Sequence, residues 1–568
     1  MTRRGLAAVL LVVVASMAPV PPAGSQPAAA GPVPLVRLPF PQDDGTLTPY
    51  TFELGYPLMT LVYDTLLWRD ADGVPRPWLA RSVDTSPDGR KVTVHLADGA
   101  RWQDGPPVTS ADVAFTFSWV AAHPHPRFSG EVVAVERVDT PDPGTAVISL
   151  RQAQPGFADQ PLADLPIIPR HLWEGLPTGK AAPDGLPVGS GPYRLVDHVA
   201  GQRYRFEAVA GYFRGAPAVS TIEVPVMNKV DDTVHALEQG DVDMVPVNLP
   251  EALKKRVDTL SVKVAEGDSY LGTALLFNLR SPPFDRVEVR RAVARAIDLG
   301  RIARVEGDAV AADHGYLHPR SPFASPDPLH SLDPAAARPV LAALTAPITV
   351  LVPDNDRSKA EAGRLVVQAV IGAGGAATLR KLPRAELERA VGEDGGAPTF
   401  EAAIWTTPPL ASYDPAILGR LFGSDPASAP FNLAGYHSAA FDDAARRVAT
   451  TSDPAARKAA TREALGLLAA DDPVVPLYFA GGAFGYRPAV YDGWVFVRGS
   501  GILDKRSFVG PRPAAAPATP TRPTTPIAAP PPDASGGRGF PAGLLAAGAL
   551  AGAAVLAGAA VVVGRRRS

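Results

Sequence analysis

A long apolar run near the C-terminus restricts the fold of this chain more than any other feature. Residues 544–563 are apolar or small without interruption, and Arg565, Arg566 and Arg567 follow almost at once. An α-helix of about 20 residues is about 30 Å long, which matches the hydrocarbon core of a bilayer. Because Arg and Lys are enriched on cytoplasmic flanks, the pattern predicts a transmembrane helix over 544–563 and a basic cytoplasmic tail over 564–568.

The first 30 residues are typical of a secretory signal peptide. Arg3 and Arg4 precede an apolar stretch, residues 6–17, that is too short to span a bilayer comfortably. Small residues at 28–30 offer a cleavage site, and residues 23–25 offer another. Two alternatives stay open, namely export by the twin-arginine route and an N-terminal anchor that is never cleaved. Residues 1–30 are predicted to be the signal peptide.

A proline-rich segment precedes the apolar run. Residues 511–541 hold ten prolines among alanine, threonine and glycine. This composition favours an extended, polyproline-like chain, so residues 511–543 are predicted to form a stalk. Together the terminal segments predict a single-pass protein of the cell membrane. Its body, residues 31–510, would lie on the periplasmic or extracellular side, and its C-terminus would be cytoplasmic.

Charge and cysteine content exclude several classes of function. The 55 Lys and Arg against 58 Asp and Glu give a net charge of −3, so a nucleic-acid partner is not expected. The chain has no Cys. A disulfide scaffold, thiol catalysis, Cys-ligated zinc and a lipid anchor on Cys are therefore ruled out.

The body shows both strand and helix patterns. Residues 91–96 and 203–208 alternate polar and apolar side chains, which indicates half-buried strands. Residues 454–470 begin with a proline at the first helical position, and residues 287–299 place apolar side chains at helical spacing. The body is therefore predicted to be α/β with many loops.

Six motifs follow one another along the body. They are LVYDTLL (61–67), RWQDGPPVTSADV (101–113), GSGPY (189–193), ALEQGDVD (236–243), FNL with PFD (277–285) and DPVVPLY (472–478). In type and order they resemble the extracellular solute-binding proteins of family 5, the dipeptide-, oligopeptide- and nickel-binding components of ABC importers. One departure is Gln103, where the family usually has histidine. The glycines are expected to serve turns, and Trp102 is expected to pack in a core.

The resemblance implies an α/β, three-lobe, periplasmic-binding-protein-like body of type II, cluster C, here followed by the transmembrane helix. A ligand would be enclosed between lobes I and II by hinge closure. The implied boundaries are residues 34–59, 187–265 and 478–510 for lobe I, residues 60–186 for an inserted lobe, and residues 266–477 for lobe II.

The resemblance also implies ligand contacts in the segment from Trp405 to Pro415. Peptide-binding members carry a "W-x-A-D-Y-x-D-P" segment whose first Asp pairs with the α-amine of the peptide. By this resemblance Ser412 stands at that Asp position here, and a neutral hydroxyl lacks the charge that an ammonium group favours. Asp414 would take over this role, or the ligand would lack an α-amine. The alternative is that Asp414 only initiates a turn.

Other candidate ligand contacts lie outside this segment. Trp405 and Tyr413 suit the wall of a wet cleft, although ordinary packing explains them as well. Asn432 and Tyr436 match a family stretch expected at the edge of the cleft. Tyr50 lies in an early segment that can meet the ligand backbone.

Nothing in the sequence indicates catalysis, a metal site or a cofactor. The histidine pairs at 123 and 125 and at 314 and 318 have no third ligand nearby in sequence. Residues 189–191 lack the spacing of a nucleophile elbow. The chain is therefore expected not to be an enzyme.

The resemblance implies the substrate-binding component of an ABC importer, which takes a peptide or peptide-sized solute and delivers it to a permease. The expected partners are that solute, the ABC permease subunits and the membrane through the C-terminal helix, and the body would be monomeric. Two alternatives stay open. One is a membrane-tethered sensor that is not coupled to transport, and the other is a binder of a non-peptide solute, such as a nickel complex, haem or an oligosaccharide.

Overall fold

The computed structural model describes most of the body. The predicted signal peptide, stalk, transmembrane segment and basic tail lie outside the described residues. The described residues are 32–510 without 53–54, 124, 126, 178–179, 181, 246–254, 258–259, 306–308, 355, 394, 408–409 and 427.

The described part of the body is α/β, as its sequence patterns predict. The strands are β1 Val33–Arg37, β2 Leu67–Arg69, β3 Pro75–Pro77, β4 Ala80–Thr85, β5 Lys91–Leu96, β6 Val135–Asp142, β7 Thr145–Leu150, β8 Tyr193–Val199, β9 Arg203–Ala208, β10 Val219–Pro225, β11 Lys263–Phe277, β12 Val310–Ala311, β13 Ile348–Pro353, β14 Ala377–Leu382, β15 Ala402–Thr407 and β16 Val474–Tyr486. The helices are α1 Tyr56–Val62, α2 Ser110–Ala122, α3 Ser129–Val132, α4 Arg170–Trp173, α5 Val230–Gln239, α6 Val287–Ala296, α7 Leu299–Val305, α8 Pro334–Leu341, α9 Arg357–Gly372, α10 Arg384–Val391, α11 Leu410–Tyr413, α12 Ile417–Phe422, α13 Ala439–Thr450 and α14 Pro454–Asp471.

Two four-stranded sheets share the first hydrophobic core. One has the order β1-β10-β9-β8, in which β1 and β10 are parallel, and the other is the antiparallel sheet β4-β5-β7-β6. Apolar side chains that alternate along these strands are fully buried, including Val94 of β5 and Phe206 of β9. The period-2 pattern of the sequence thus sets which face of each strand is buried.

A six-stranded mixed sheet, β12-β16-β11-β15-β13-β14, forms the second core. Its two longest strands, β11 and β16, pair antiparallel from Lys263 opposite Tyr486 to Leu276 opposite Val474. One end of this pair packs on the first core and the other end on the second. The pairing register of β11 and β16 shifts near the middle of the pair, between Asp268 and Gly272 and between Thr273 and Ala274. The two strands therefore connect the two cores through an irregular stretch of sheet.

Local side chains explain where two of the principal helices begin. At α2, the side chains of Thr109 and Asp112 form a capping box. At α14, the Asp453 carboxylate accepts a hydrogen bond of 2.7 Å from Ala456 N, and Pro454 takes the first helical position. The predicted helix over 454–470 is confirmed.

The backbone of the GSGPY motif packs closely against the backbone at the end of α1. An ideal Cβ on Gly189 would lie 2.0 Å from the carbonyl oxygen of Val62, at the end of α1. Gly191 N donates to the same oxygen at 2.7 Å. Gln103 Nε2 donates to Tyr193 O at 2.8 Å, and Gln103 Oε1 accepts from Gly189 N at 3.2 Å. Gln103 therefore ties two of the motifs together.

We expect Gly189→Ala to lower the free energy of unfolding by about 3 kcal/mol, because backbone of Val62 cannot rotate away from an added methyl group. Urea unfolding followed by circular dichroism measures the change. Gly175→Ala is the matched control, since an ideal Cβ there meets nothing within 4 Å. Equal stability of the two variants would contradict the expectation.

The structure corrects two sequence predictions, the transmembrane helix and the single-pass placement in the cell membrane. Within the described part of the chain, no helix is both long and apolar enough to cross a bilayer. The longest, α14, has 18 residues but carries five charged side chains, whereas a span needs about 20 mainly apolar residues. Residues 544–563 lie outside the described residues, so the membrane-spanning part of the predicted fold is without structural support.

Candidate functional site

Two distant parts of the chain meet along a polar contact surface, which we call the seam. Its residues on the first-core side are Arg69, Arg127, Gly130, Glu131, Gly156, Asp159 and Asp164, and those on the other side are Tyr413, Asp414, Arg420 and Arg457. The Arg69 guanidinium carbon lies 4.1 Å from the ring centroid of Tyr413. The Tyr413 hydroxyl donates to the carbonyl oxygen of Arg498, and burial raises the pKa of Tyr413 to about 12. Tyr413 therefore bridges the two parts as a neutral hydrogen-bond donor.

Asp414 contacts both sides of the seam. Its carboxylate accepts hydrogen bonds from the Arg457 guanidinium and, at 3.0 Å, from Ala416 N. Opposite it lies Gly156, where an ideal Cβ would come within 1.6 Å of Asp414 Oδ2. The Asp414 side chain is buried, so its charge is balanced mainly by Arg457.

Asp159 lies on the first-core side, facing Asp414. It pairs with Arg69, whose Nη2 also donates to Asp159 O at 3.0 Å. Burial raises the pKa of Asp159 and the Asp414 charge adds to this effect, while Arg69 opposes it. The two carboxylates are therefore held close across the seam by one arginine on each side.

A second group of buried charges lies where Arg420 of α12 meets α3. Gly130 leaves space for the guanidinium, since an ideal Cβ there would lie 2.5 Å from its central carbon. Glu131 is 2% exposed, and its carboxyl group shares a side-chain hydrogen bond with Asp164. Burial, helped by the Asp164 charge, raises the pKa of Glu131 well above its usual range.

Asp164 keeps its charge beside this acid. Arg127 Nε donates to Asp164 Oδ2 at 2.8 Å, and the guanidinium of Arg127 also stacks on the Tyr56 ring at 3.9 Å. Arg127 lowers the pKa of Asp164 against the opposing effect of burial. Burial also lowers the pKa of Arg420, while Glu131 and Asp164 oppose that shift. Arg127 Nη1 has no hydrogen-bond partner among the described residues, so the seam presents a buried charge with incomplete hydrogen bonding, which suits the binding of polar ligand groups.

The structure brings only Tyr413 and Asp414, of the predicted ligand residues, to the seam. Trp405 is half-buried on β15 and packs against a small core beside Leu276 and Leu351. Ser412 is buried, and its hydroxyl accepts from His318 N at 3.0 Å. Ligand contact by Trp405 stays a prediction.

Asn432 and Tyr436 hold one loop together. Asn432 Nδ2 donates to Gly423 O at 2.9 Å and to Tyr436 O at 2.8 Å. Tyr436 is 2% exposed, and its hydroxyl donates to Asp471 Oδ2 at 2.7 Å. These bonds explain both side chains structurally, and their contact with a ligand stays a prediction.

Tyr50 lies beside the first core, against α2 and α4. Its hydroxyl donates to His123 O at 3.1 Å, and its ring meets His125 edge-on at 5.2 Å between centroids. Ligand contact by Tyr50 also stays a prediction. Among the residues that the structure describes, no group of three or more His, Asp or Glu side chains is placed to hold a metal ion.

Sequence reasoning missed most of the charged seam residues, which are Arg69, Arg127, Glu131, Asp159, Asp164, Arg420 and Arg457. Neither local periodicity nor a motif marks them. The sequence feature that relates to the seam is glycine at positions 130 and 156. Each glycine lacks a Cβ and so allows a side chain from the other part to approach closely. The role of these glycines can be recognised only when the residues that lie opposite them are known.

Comparison with known proteins assigns the chain to a family. The profile of the bacterial extracellular solute-binding proteins, family 5, matches residues 74–422, which is more than half of the chain. The chain belongs to this family. The match covers this family-5 protein from β3 to α12, which includes both sides of the seam except Arg69 and Arg457.

Individual relatives agree with this assignment. A Brucella ovis protein assigned by name to the ABC transporter peptide-binding proteins is 29% identical over 270 residues, which are 46% of this chain and 50% of that protein. The periplasmic oligopeptide-binding protein OppA of Escherichia coli is 28% identical over 288 residues, 45% of this chain and 51% of OppA. The chain thus spans about half the length of the curated relatives it matches.

A solved structure supports the fold. The ABC transporter substrate-binding protein CtaP of Listeria monocytogenes superposes with a TM-score of 0.75 over 84% of this chain and 99% of CtaP, at 22% identity. At this identity the match shows the fold alone. The α/β, periplasmic-binding-protein-like part of the predicted fold is confirmed.

Proposed function

We propose that this family-5 protein is the extracytoplasmic solute-binding component of an ABC importer. It takes up a peptide or peptide-sized solute at the seam and delivers it to permease subunits. No covalent step is part of this function. The observation that carries the proposal is the seam itself, where buried charges from two distant parts of the chain face one another.

Closure around the solute is the proposed mechanism. The part built on the first core corresponds to lobe I with its inserted lobe, and the part around the six-stranded sheet corresponds to lobe II. Strands β11 and β16 would act as the hinge, since they are continuous between the two cores and irregular midway. A solute that contacts both sides favours the closed arrangement, because only that arrangement offers all of its contacts.

The names of the relatives support a peptide as the solute, and the seam offers groups for one. Arg420 is a largely buried guanidinium, and it faces Glu131, a buried acid whose pKa lies well above its usual range. A guanidinium in this setting suits the carboxylate of such a ligand. We propose that Tyr413 and Asp414 border the same solute.

A binding experiment on the full chain tests the proposal. We expect peptides of two to about ten residues to raise the melting temperature, since a ligand at a hundredfold excess over Kd stabilises by about 2.7 kcal/mol. Isothermal calorimetry then measures Kd. Mass spectrometry of material released on denaturation identifies a co-purified solute. A chain that releases no solute and responds to no peptide in the library would contradict the proposal.

A further inference from the structure

A cavity of about 330 Å³ lies in the half of the protein built on the six-stranded sheet. It is enclosed by α6, the end of α14, the start of β16 and the loop of residues 312–331. None of its lining residues belongs to the seam. Sites for small molecules are typically ~300–1,000 Å³, so this cavity is of a size to hold a small ligand.

About half of the wall is apolar. The larger apolar side chains that line it are Tyr316, Leu329, Leu465, Leu468, Val474 and Val475. Tyr316, Leu465, Leu468 and Val474 pack together in one hydrophobic cluster, and Val475 packs in the second core, so their positions are fixed. The cavity therefore has one preformed apolar side.

Arginine side chains lie at one end of the cavity. Arg290 Nε donates to Asp471 O at 2.7 Å, and Arg291 Nε donates to Ala470 O, so both serve the C-terminal end of α14. Arg295, one turn further along α6, is exposed and lines the cavity. Its guanidinium has no hydrogen-bond or ion-pair partner among the described residues.

Two nearby acids only partly balance these charges, since Asp471 Oδ1 lies 3.7 Å from Arg291 Nη2 and Asp472 lines the cavity. Asp472 follows α14 in a left-handed conformation with φ of 43°, which is uncommon for a residue other than glycine. Burial raises the pKa of Asp472 to about 7, although Arg290, Arg291 and Arg295 oppose the rise. His330 Nε2 is bonded to Ile297 O at 2.9 Å, and burial lowers the pKa of this imidazole. This end of the cavity is therefore cationic.

We propose that the cavity is a second ligand site, separate from the seam, for a small carboxylate with an apolar body. Arg295 and Arg291 bind the carboxylate, since a guanidinium matches its geometry with paired hydrogen bonds. The apolar body lies against the side chains of α14 and β16. Such a site goes beyond solute capture at the seam and does not depend on it.

Calorimetry with sodium octanoate and the full chain tests this site. We expect octanoate to bind at least tenfold more tightly than 1-octanol, which has the same apolar body without the charge. Arg295→Ala is expected to weaken octanoate binding about tenfold. Ala469→Leu, which places a larger side chain on the cavity wall, is expected to abolish it.

Arg304→Ala is the matched control, because Arg304 is also exposed but lies on α7 and does not line the cavity. It should bind octanoate as the unchanged chain does. Octanoate binding that survives both Arg295→Ala and Ala469→Leu would overturn the proposal. So would equal affinity for octanoate and 1-octanol, or no binding of octanoate at all.

Discussion

Lys505→Met is expected to lower the free energy of unfolding by about 3–5 kcal/mol, the range for breaking one partner of a buried ion pair. Lys505 Nζ lies 2.9 Å from Asp64 Oδ1, and both side chains are 0% exposed. The ammonium group also lies over the rings of Trp68 and Trp78, at 4.2 and 5.0 Å from their centroids. Without it, the Asp64 carboxylate stays buried with its charge uncompensated.

The loss in free energy of unfolding is expected to exceed that for an ordinary ion pair, because Asp64 has other buried partners. It also accepts hydrogen bonds from Trp78 Nε1 at 2.8 Å and from Tyr212 OH at 3.0 Å. Lys505 therefore anchors the last described segment of the chain to the first core, and its removal disturbs a connected network.

Urea unfolding followed by tryptophan fluorescence measures the effect, because Trp68 and Trp78 lie beside the charge. Lys263→Met is the matched control. Its Nζ pairs with Asp492 at 2.6 Å, but the two side chains are 56% and 44% exposed, so the expected loss is at most about 1 kcal/mol. If both variants lost the same stability, the burial argument would be wrong.

Gly156→Ala is expected to weaken solute binding at the seam by roughly ten- to a hundredfold. The added methyl group would overlap Asp414 Oδ2, at 1.6 Å in the present arrangement. Asp414 cannot move freely, since Arg457 and Ala416 N hold its carboxylate. Overpacking of this kind costs about 1–3 kcal/mol, and each 1.4 kcal/mol is a factor of about ten in affinity.

Calorimetry with the tightest-binding peptide measures this change. The melting temperature without peptide should fall much less than the affinity, because the methyl group opposes contact between the two parts and not the packing of either core. Gly175→Ala again serves as the control and should bind normally. Unchanged affinity in Gly156→Ala would show that the solute does not require the seam to close.

Secondary structure followed closely from the sequence where local patterns are strong. The predicted strands over 91–96 and 203–208 are β5 and β9. The helix predicted over 287–299 ends earlier, at Ala296, and α7 begins at Leu299. These predictions succeed because side-chain alternation and helix capping act between near neighbours in the chain.

The candidate site was predicted only in part. Tyr413 and Asp414 lie at the seam, whereas Asn432 and Tyr436 bond to each other and to their own loop. A motif identifies a segment but does not say whether a polar side chain is already satisfied internally. Hydrogen-bond partners from elsewhere in the chain, such as Arg457 for Asp414, decide that question.

The sequence by itself determined the α/β character of the body, the ends of its clearest elements and, through six ordered motifs, its family. The tertiary structure alone decided which residues form the seam, since Gly156 and Asp414, or Gly130 and Arg420, are far apart in the chain. It also decided that Glu131 is a buried acid beside Asp164, and this burial and the Asp164 charge raise its pKa well above its usual range. The physical reason is that burial and charge compensation depend on how distant segments pack, which no local window of sequence contains.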